Sequence, residues 1–434
     1  MELSQFDLEF TKSGNVFDEA QLDAILAAVP AATDLIVLSH GWNNNVAEAN
    51  ELYDALLANM AAVFDDVAGL GGRTFQVVRI FWPSKRFEDA DLIPGGGAAS
   101  VAAREDATLA RLLQSLKHDP DRLGDDSEDP VRAATVAQIE ALVPALGTDP
   151  AARREFVLLL RAMLDPAEAE ADDASEDFFS IDPEQIFKGL RDPVLAPSAP
   201  GSGGGSSLRS GGAASLGDVT SGLAAAARRI ANFATYYAMK QRAGVVGRTG
   251  LAPVLRRIRD HNRKVHIHLV GHSFGGRLVT SAAHALPPAT EHVSLTLLQA
   301  AFSHNALSDD YGHGKAGAFR SLIAERRISG PIAITHTKND KAVGIAYPLA
   351  SRIARDAAAA LGDRNDPYGG MGRNGAQHTP EVAQPGGGLE EVGGGYDFAP
   401  GKIYNLQADR FIADHGAVTG QQVAYALLHV VAAT

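Results

Sequence analysis

Lys264 to Ala283, KVHIHLVGHSFGGRLVTSAA, is the stretch from which the reading of the whole chain follows. In Val265-His266-Ile267-His268-Leu269-Val270 the apolar residues alternate and then end as a pair, which predicts a strand entering a buried sheet. Downstream, Leu278, Val279, Ala282 and Ala283 recur at helical spacing. Gly271-His272-Ser273-Phe274-Gly275 is therefore the turn between a strand and a helix, and it has the G-x-S-x-G pattern of a nucleophile elbow. Such a turn lifts a serine hydroxyl above the sheet, and a Cβ at Gly271 or Gly275 would run into neighbouring backbone. A glycine-flanked serine alone would be a weak sign. The strand before it and the helix after it make Ser273 a candidate nucleophile.

A second turn of this kind lies upstream. Asp34-Leu35-Ile36-Val37-Leu38-Ser39 reads as a buried strand, stops at His40-Gly41-Trp42-Asn43-Asn44-Asn45, and gives way to an amphipathic helix from Ala47 to Phe64. In a serine hydrolase, backbone N–H groups at such a turn and just after the nucleophile bind an oxyanion, so Trp42 and Phe274 are the candidate donors, with Gly41 as the glycine that marks the turn. The asparagines also suit a helix N-cap.

Further strands are predicted at Leu3 to Phe10 (an edge), Thr74 to Trp82, Val293 to Gln299, Ile332 to Thr337 and Lys402 to Ala408, with helices at Asp18 to Val29, Val219 to Arg242, Leu251 to Asp260 and Val418 to Val431. This alternation predicts an α/β fold: a mainly parallel central sheet with helices on both faces. From 85 to 217 the alternation breaks into helical segments with acidic, proline-containing joints, ending in the glycine- and serine-rich linker Pro197 to Ala214. The core is thus expected in two parts, 1–84 and 218–434, separated by a helical insertion. Because it leaves a strand's C-terminal end, the insertion is expected to act as a cap over the site. Its apolar runs at Phe156 to Leu160 and Phe178 to Ile181 are expected to bury against the core more readily than to line an acyl cavity. Gly362 to Gly395 is too rich in glycine to predict regular structure.

Composition bounds the function. A net charge of −13 over 434 residues argues against a nucleic-acid partner, which requires a basic surface. No apolar run is long enough for an integral membrane segment, and the residues after Met1 lack a secretory signal, so a cytoplasmic location is expected. The absence of cysteine removes thiolate zinc sites and cysteine nucleophiles. His266 and His268 share one strand face but have no third ligand nearby in sequence, so no metal is expected. Neither a dinucleotide fingerprint nor a P-loop is present, so no organic cofactor is inferred.

Together, the GHSFG elbow, the HGW turn, and a serine, an aspartate and a histidine each following a strand in that order give a clear likeness. Asp34 to Trp82 and Val245 to Thr434, more than half the chain, resemble the α/β-hydrolase fold, closest to lipase- and esterase-like serine hydrolases of poorly defined substrate. The resemblance implies Asp340, after the penultimate strand, as the acid, with Asp309 and Asp310, after the preceding strand, as weaker rivals and Asp363 and Asp366 lying in the glycine-rich excursion. It implies His415, after the last strand, as the base, with His378 as runner-up and His429 as a packed histidine. His272 is expected to pack rather than react. The implied substrate is a small-molecule acyl compound whose ester bond is cleaved through an acyl-enzyme. An amidase or peptidase on the same triad, or a non-catalytic scaffold on this fold, are the alternatives.

Overall fold

The computed structural model describes residues 3–42, 44–84, 101–125, 127–191, 216–312, 314–340, 342–343, 368–383 and 387–434. Seven strands form one sheet: β1 (Leu3–Glu9), β2 (Asp34–Ser39), β3 (Phe75–Phe81), β4 (His266–His272), β5 (Val293–Leu298), β6 (Ile332–His336) and β7 (Ile403–Gln407). Their order is β1-β3-β2-β4-β5-β6-β7, and every pairing is parallel. The fold is α/β, and the expected edge position of the first strand is borne out.

Strand alternation sends side chains to two layers. Leu35 and Val37 face one side, where α1 (Glu19–Ala28) packs with the helix Ala252–His261 and the elbow helix Phe274–His284. Ile36 and Leu38 face the other, covered by α2 (Val46–Ala62) and the C-terminal helix Gln421–Ala432. Asn45 starts α2 with a capping box: its side chain accepts from Glu48 N–H while the Glu48 carboxylate accepts from Asn45 N–H. Among the described residues no helix is long and apolar enough to cross a membrane.

At the opposite end of the strands from the elbow, Asp34 is fully buried and ties β2 to its neighbours. Its carboxylate accepts from Arg73 and Thr33 and from His268 Nε2 at 2.9 Å, while His268 Nδ1 lies 2.8 Å from the Ser294 hydroxyl. Burial works to raise the Asp34 pKa, but these donors outweigh it and hold the group well below the usual carboxylate range. Burial lowers His268, so the ring is neutral, donating to Asp34 and accepting from Ser294. The His266/His268 pair is thus occupied by strand-to-strand bonding: His266 stacks on His292 at 4.6 Å and meets Arg73 at 3.1 Å. Asp34→Ala is expected to cost about 3–5 kcal/mol, because it strands a cation and a buried ring N–H. Urea unfolding of the variant checks this.

The insertion comprises α3 (Val101–Leu116), α4 (Pro130–Leu142), α5 (Pro150–Ala162), α6 (Ser175–Ser180) and α7 (Pro183–Leu190). These helices share a separate apolar core in which Phe156, Val157 and Phe178 are buried. Phe156, Val157 and Leu160 of the first run and Phe178 of the second therefore fill the insertion's own core, while Leu158 is exposed. The boundary expected at 217 needs correction. The helix α8 (Leu216–Val245) crosses it unbroken, giving Ala226, Ile230 and Phe233 to the insertion core and Met239 and Ala243 to the sheet core. The glycine-serine linker lies outside the described residues. A π-helical turn, Val246–Leu251, then leads into α9 (Ala252–His261) and, after β4, α10 (Phe274–His284). The π-helical turn and α10 approach closely: a Cβ on Gly247 would lie 2.1 Å from the Leu278 carbonyl oxygen.

Candidate active site

The strand order reverses direction between β2 and β4, and ligands of open parallel sheets bind at the carboxyl ends beside such a switch point. The chain leaves β2 into His40-Gly41-Trp42 and leaves β4 into Ser273, so both predicted turns meet there.

Ser273 takes φ 54° and ψ −122°, a conformation side-chain-bearing residues rarely hold. It is the N-cap of α10, yet its hydroxyl makes no capping bond and instead meets His415 Nε2 at 2.8 Å. The surrounding glycines are sterically required. A Cβ at Gly271 would lie 2.3 Å from Gly275 O, one at Gly275 would lie 2.2 Å from Ser39 O, and one at Gly41 would lie 2.7 Å from Ser273 Cβ. The β2 turn therefore passes directly against the serine. Phe274 N–H is the first amide of α10, and initial helical N–H groups have no intrahelical acceptor. The Trp42, Phe274 and Tyr236 rings form one cluster, with Phe274 5.9 Å from Trp42 and 4.8 Å from Tyr236, so α8 of the insertion side walls the elbow.

His415 Nδ1 lies 2.8 Å from Asp340 Oδ2. Asp340 is completely buried, and its other oxygen accepts from Val343 N–H at 2.9 Å. Burial pushes its pKa up, but the charge and hydrogen bond of His415 outweigh that and leave it below the ordinary carboxylate value. The relay Ser273–His415–Asp340 is therefore assembled from three loops, with an ionised acid, an imidazole aimed by it and a hydroxyl within reach of the imidazole. Chemically, such a relay can take the serine proton as the oxygen attacks an electrophile.

Two further histidines and a glutamine contact these loops. His272 Nε2–H donates to the backbone carbonyl of His415 at 2.9 Å, so the residue beside Ser273 holds the loop carrying His415. Burial, then the neighbouring His415, pulls His272 down to about 3, which keeps it neutral. It packs, as expected, and stays outside the relay. His40, lowered to about 4 by burial, stacks on Trp82 at 5.6 Å and donates to Gly41 O at 2.8 Å, fixing the β2 turn. His429 packs between Tyr396 and Tyr425. Gln299, which follows β5, touches Asp340 and was not signalled by any local pattern.

The loops carrying Asp340 and His415 are also bound to each other. Asn339 Nδ2 donates to the carbonyls of Asp409 and Ile412, each at 2.9 Å, and the Asp409 carboxylate accepts from Thr337 and Lys338. The glycine-rich excursion contributes more order than its composition predicts: α11 (Arg320–Ala324) precedes it, and within it a helical turn, α12 (Met371–Asn374), braces the loop of Asp340, Gly372 O accepting from Thr337 N–H and Arg373 donating to the Asp340 backbone carbonyl. Its residues Val382 and Gly388 form bridges along β7 that cover the sheet edge. The rival residues stand apart. Asp309, Asp310 and His378 are exposed, and Asp310 accepts from Gly312 and Gly314 N–H. Asp363 and Asp366 lie outside the described residues.

One group of carboxylates among the described residues has metal-ligand spacing, Glu170, Asp172 and Asp173, with oxygens within 4.8 Å of one another. Its cations are built in. Lys240 of α8 bonds Glu170 at 2.7 Å and also Asp173, and Arg277 of α10 bonds Glu170. Burial, then Glu170 and Asp173, pushes Asp172 up to about 7. This network clamps the insertion to the elbow helix one turn beyond Ser273.

No protein-family model, curated protein or solved structure matches the chain.

Proposed function

We propose that this protein is a serine hydrolase on an α/β-hydrolase fold, cleaving a carboxylic ester-type bond through an acyl-enzyme. The observation that carries the reading is the relay itself. Ser273 Oγ to His415 Nε2 and His415 Nδ1 to Asp340 Oδ2 are both 2.8 Å, although 142 and 75 residues separate the partners in the chain. A serine kept from capping its own helix, held in a sparsely populated conformation and hydrogen-bonded to a carboxylate-oriented imidazole, has the arrangement acyl transfer requires.

In the mechanism, His415 Nε2 takes the Ser273 proton as Oγ attacks the carbonyl carbon. The carbonyl electron pair moves onto oxygen, where the backbone N–H groups of Trp42 and Phe274 stabilise it. The tetrahedral species collapses, the C–O bond to the alcohol breaks, and the imidazolium returns its proton to the departing oxygen. Water, deprotonated by the same histidine, then attacks the acyl-enzyme, releasing the acid and restoring Ser273.

The test is covalent labelling with a fluorophosphonate, with the modified residue located by peptide mass spectrometry. A stoichiometric adduct on Ser273 is expected. An unlabelled protein, or an adduct elsewhere, would refute the reading.

A further inference from the structure

We propose that Gln299 is a positioning residue whose side-chain amide fixes the Asp340 carboxylate in the orientation His415 needs. The inference rests on reading Ser273, His415 and Asp340 as a hydrolytic relay.

Gln299 follows the last residue of β5, is completely buried, and has φ 46°, in the left-handed region that non-glycine residues seldom occupy. Strain of this kind persists only where surrounding bonds over-determine it. Here they do. The Thr335 hydroxyl lies 3.0 Å from Gln299 Oε1, and Gln299 Nε2 donates to Gly372 O at 2.9 Å. Because the Gly372 carbonyl can only accept, the amide cannot turn over without losing that bond. Its second N–H is left for Asp340 Oδ2, 3.4 Å away, the same oxygen that accepts from His415. At that length the bond is weak, so its main effect is on direction and local charge. Gly372 makes the approach possible: a Cβ there would lie 2.5 Å from the Gln299 carbonyl carbon.

Asp340 Oδ1 is held by Val343 N–H and Oδ2 by His415 and Gln299, so donors from three separate segments stop the carboxylate from rotating. The titratable groups with the largest effect on Asp340 are His415 and His272, and the Arg373 guanidinium donates to its backbone carbonyl at 3.3 Å. A donor beside them shares the carboxylate's charge. An acceptor in its place would concentrate negative charge on the side facing the imidazole.

Gln299→Glu keeps the length and the oxygen facing Thr335 but turns the donor into a second carboxylate oxygen. The added charge favours the protonated imidazole, so the acid limb of the kcat/KM profile is expected to move up by about one pH unit. KM for a short ester should stay within about twofold. Gln299→Met, of similar length and uncharged, is expected to lower kcat about tenfold with KM unchanged, the pattern of a lost transition-state alignment. Rates are normalised to sites titrated by the fluorophosphonate, so unfolded protein does not count. An acid limb in Gln299→Glu that coincides with wild type, or unchanged normalised kcat in Gln299→Met, would overturn the positioning role. Should Gln299→Glu not fold, the kcat and KM of Gln299→Met decide alone. Wild-type protein that fails to label at Ser273 would instead overturn the hydrolytic reading itself.

Discussion

Ser273→Ala is expected to lower kcat for an activated ester by about four to six orders of magnitude, the loss typical of removing the nucleophile from a serine triad. What survives would come from binding and the oxyanion donors alone. The same change should leave stability nearly untouched. Ser273 Oγ bonds His415, whose side chain is partly solvent-accessible, so no deeply buried partner is orphaned. The positive φ at this position strains alanine about as much as serine. Thermal unfolding and ester hydrolysis measured on the same preparation check both halves. Covalent labelling retained by the alanine variant would move the nucleophile elsewhere.

The parts of this molecule that sequence could disclose are those whose cause is local. Gly271 and Gly275 are forced by atoms a few residues away or on the adjoining strand, and the strand-turn-helix pattern around Ser273 signals them. Asn45 and Glu48 form their capping box within one turn. In sequence Asp340 and His415 are implied only by a resemblance; in the structure His415 meets Ser273 and Asp340 meets His415. Gln299 carries no such mark, because its role comes from Thr335, Gly372 and Asp340 converging on it in space. The same holds for Asp34, which in sequence only opens an apolar strand, while its partners Arg73 and His268 come from other strands and turns. The excursion around Gly372 is hidden for a related reason: Gly369 and Gly372 serve close packing against His304 and Gln299, whereas composition suggests only irregularity. The insertion boundary is not legible in sequence because α8 keeps one helical period while the core it faces changes midway along its length.

Asp340→Asn is expected to lower kcat by about 10⁴, with KM little changed. The geometry gives the reason. Three donors converge on the two carboxylate oxygens: Val343 N–H on Oδ1, His415 Nδ1 and Gln299 Nε2 on Oδ2. An amide offers one acceptor oxygen and one NH₂, so it misfits in either orientation. With the NH₂ toward His415, Nδ1 must become the acceptor, the proton moves to Nε2, and the ring can no longer take the Ser273 proton. With the NH₂ toward Val343, two N–H groups oppose each other in a fully buried position, and the imidazolium formed during attack loses its counter-charge. The first orientation disables the base outright and the second raises the barrier electrostatically. Asp309→Asn and Asp310→Asn serve as controls. Both residues are exposed, and Asp310 already accepts from two backbone N–H groups of its own turn, so these variants should keep rates within about twofold of wild type. Near wild-type turnover by Asp340→Asn, with a large loss in either control, would reassign the acid to the loop after β5.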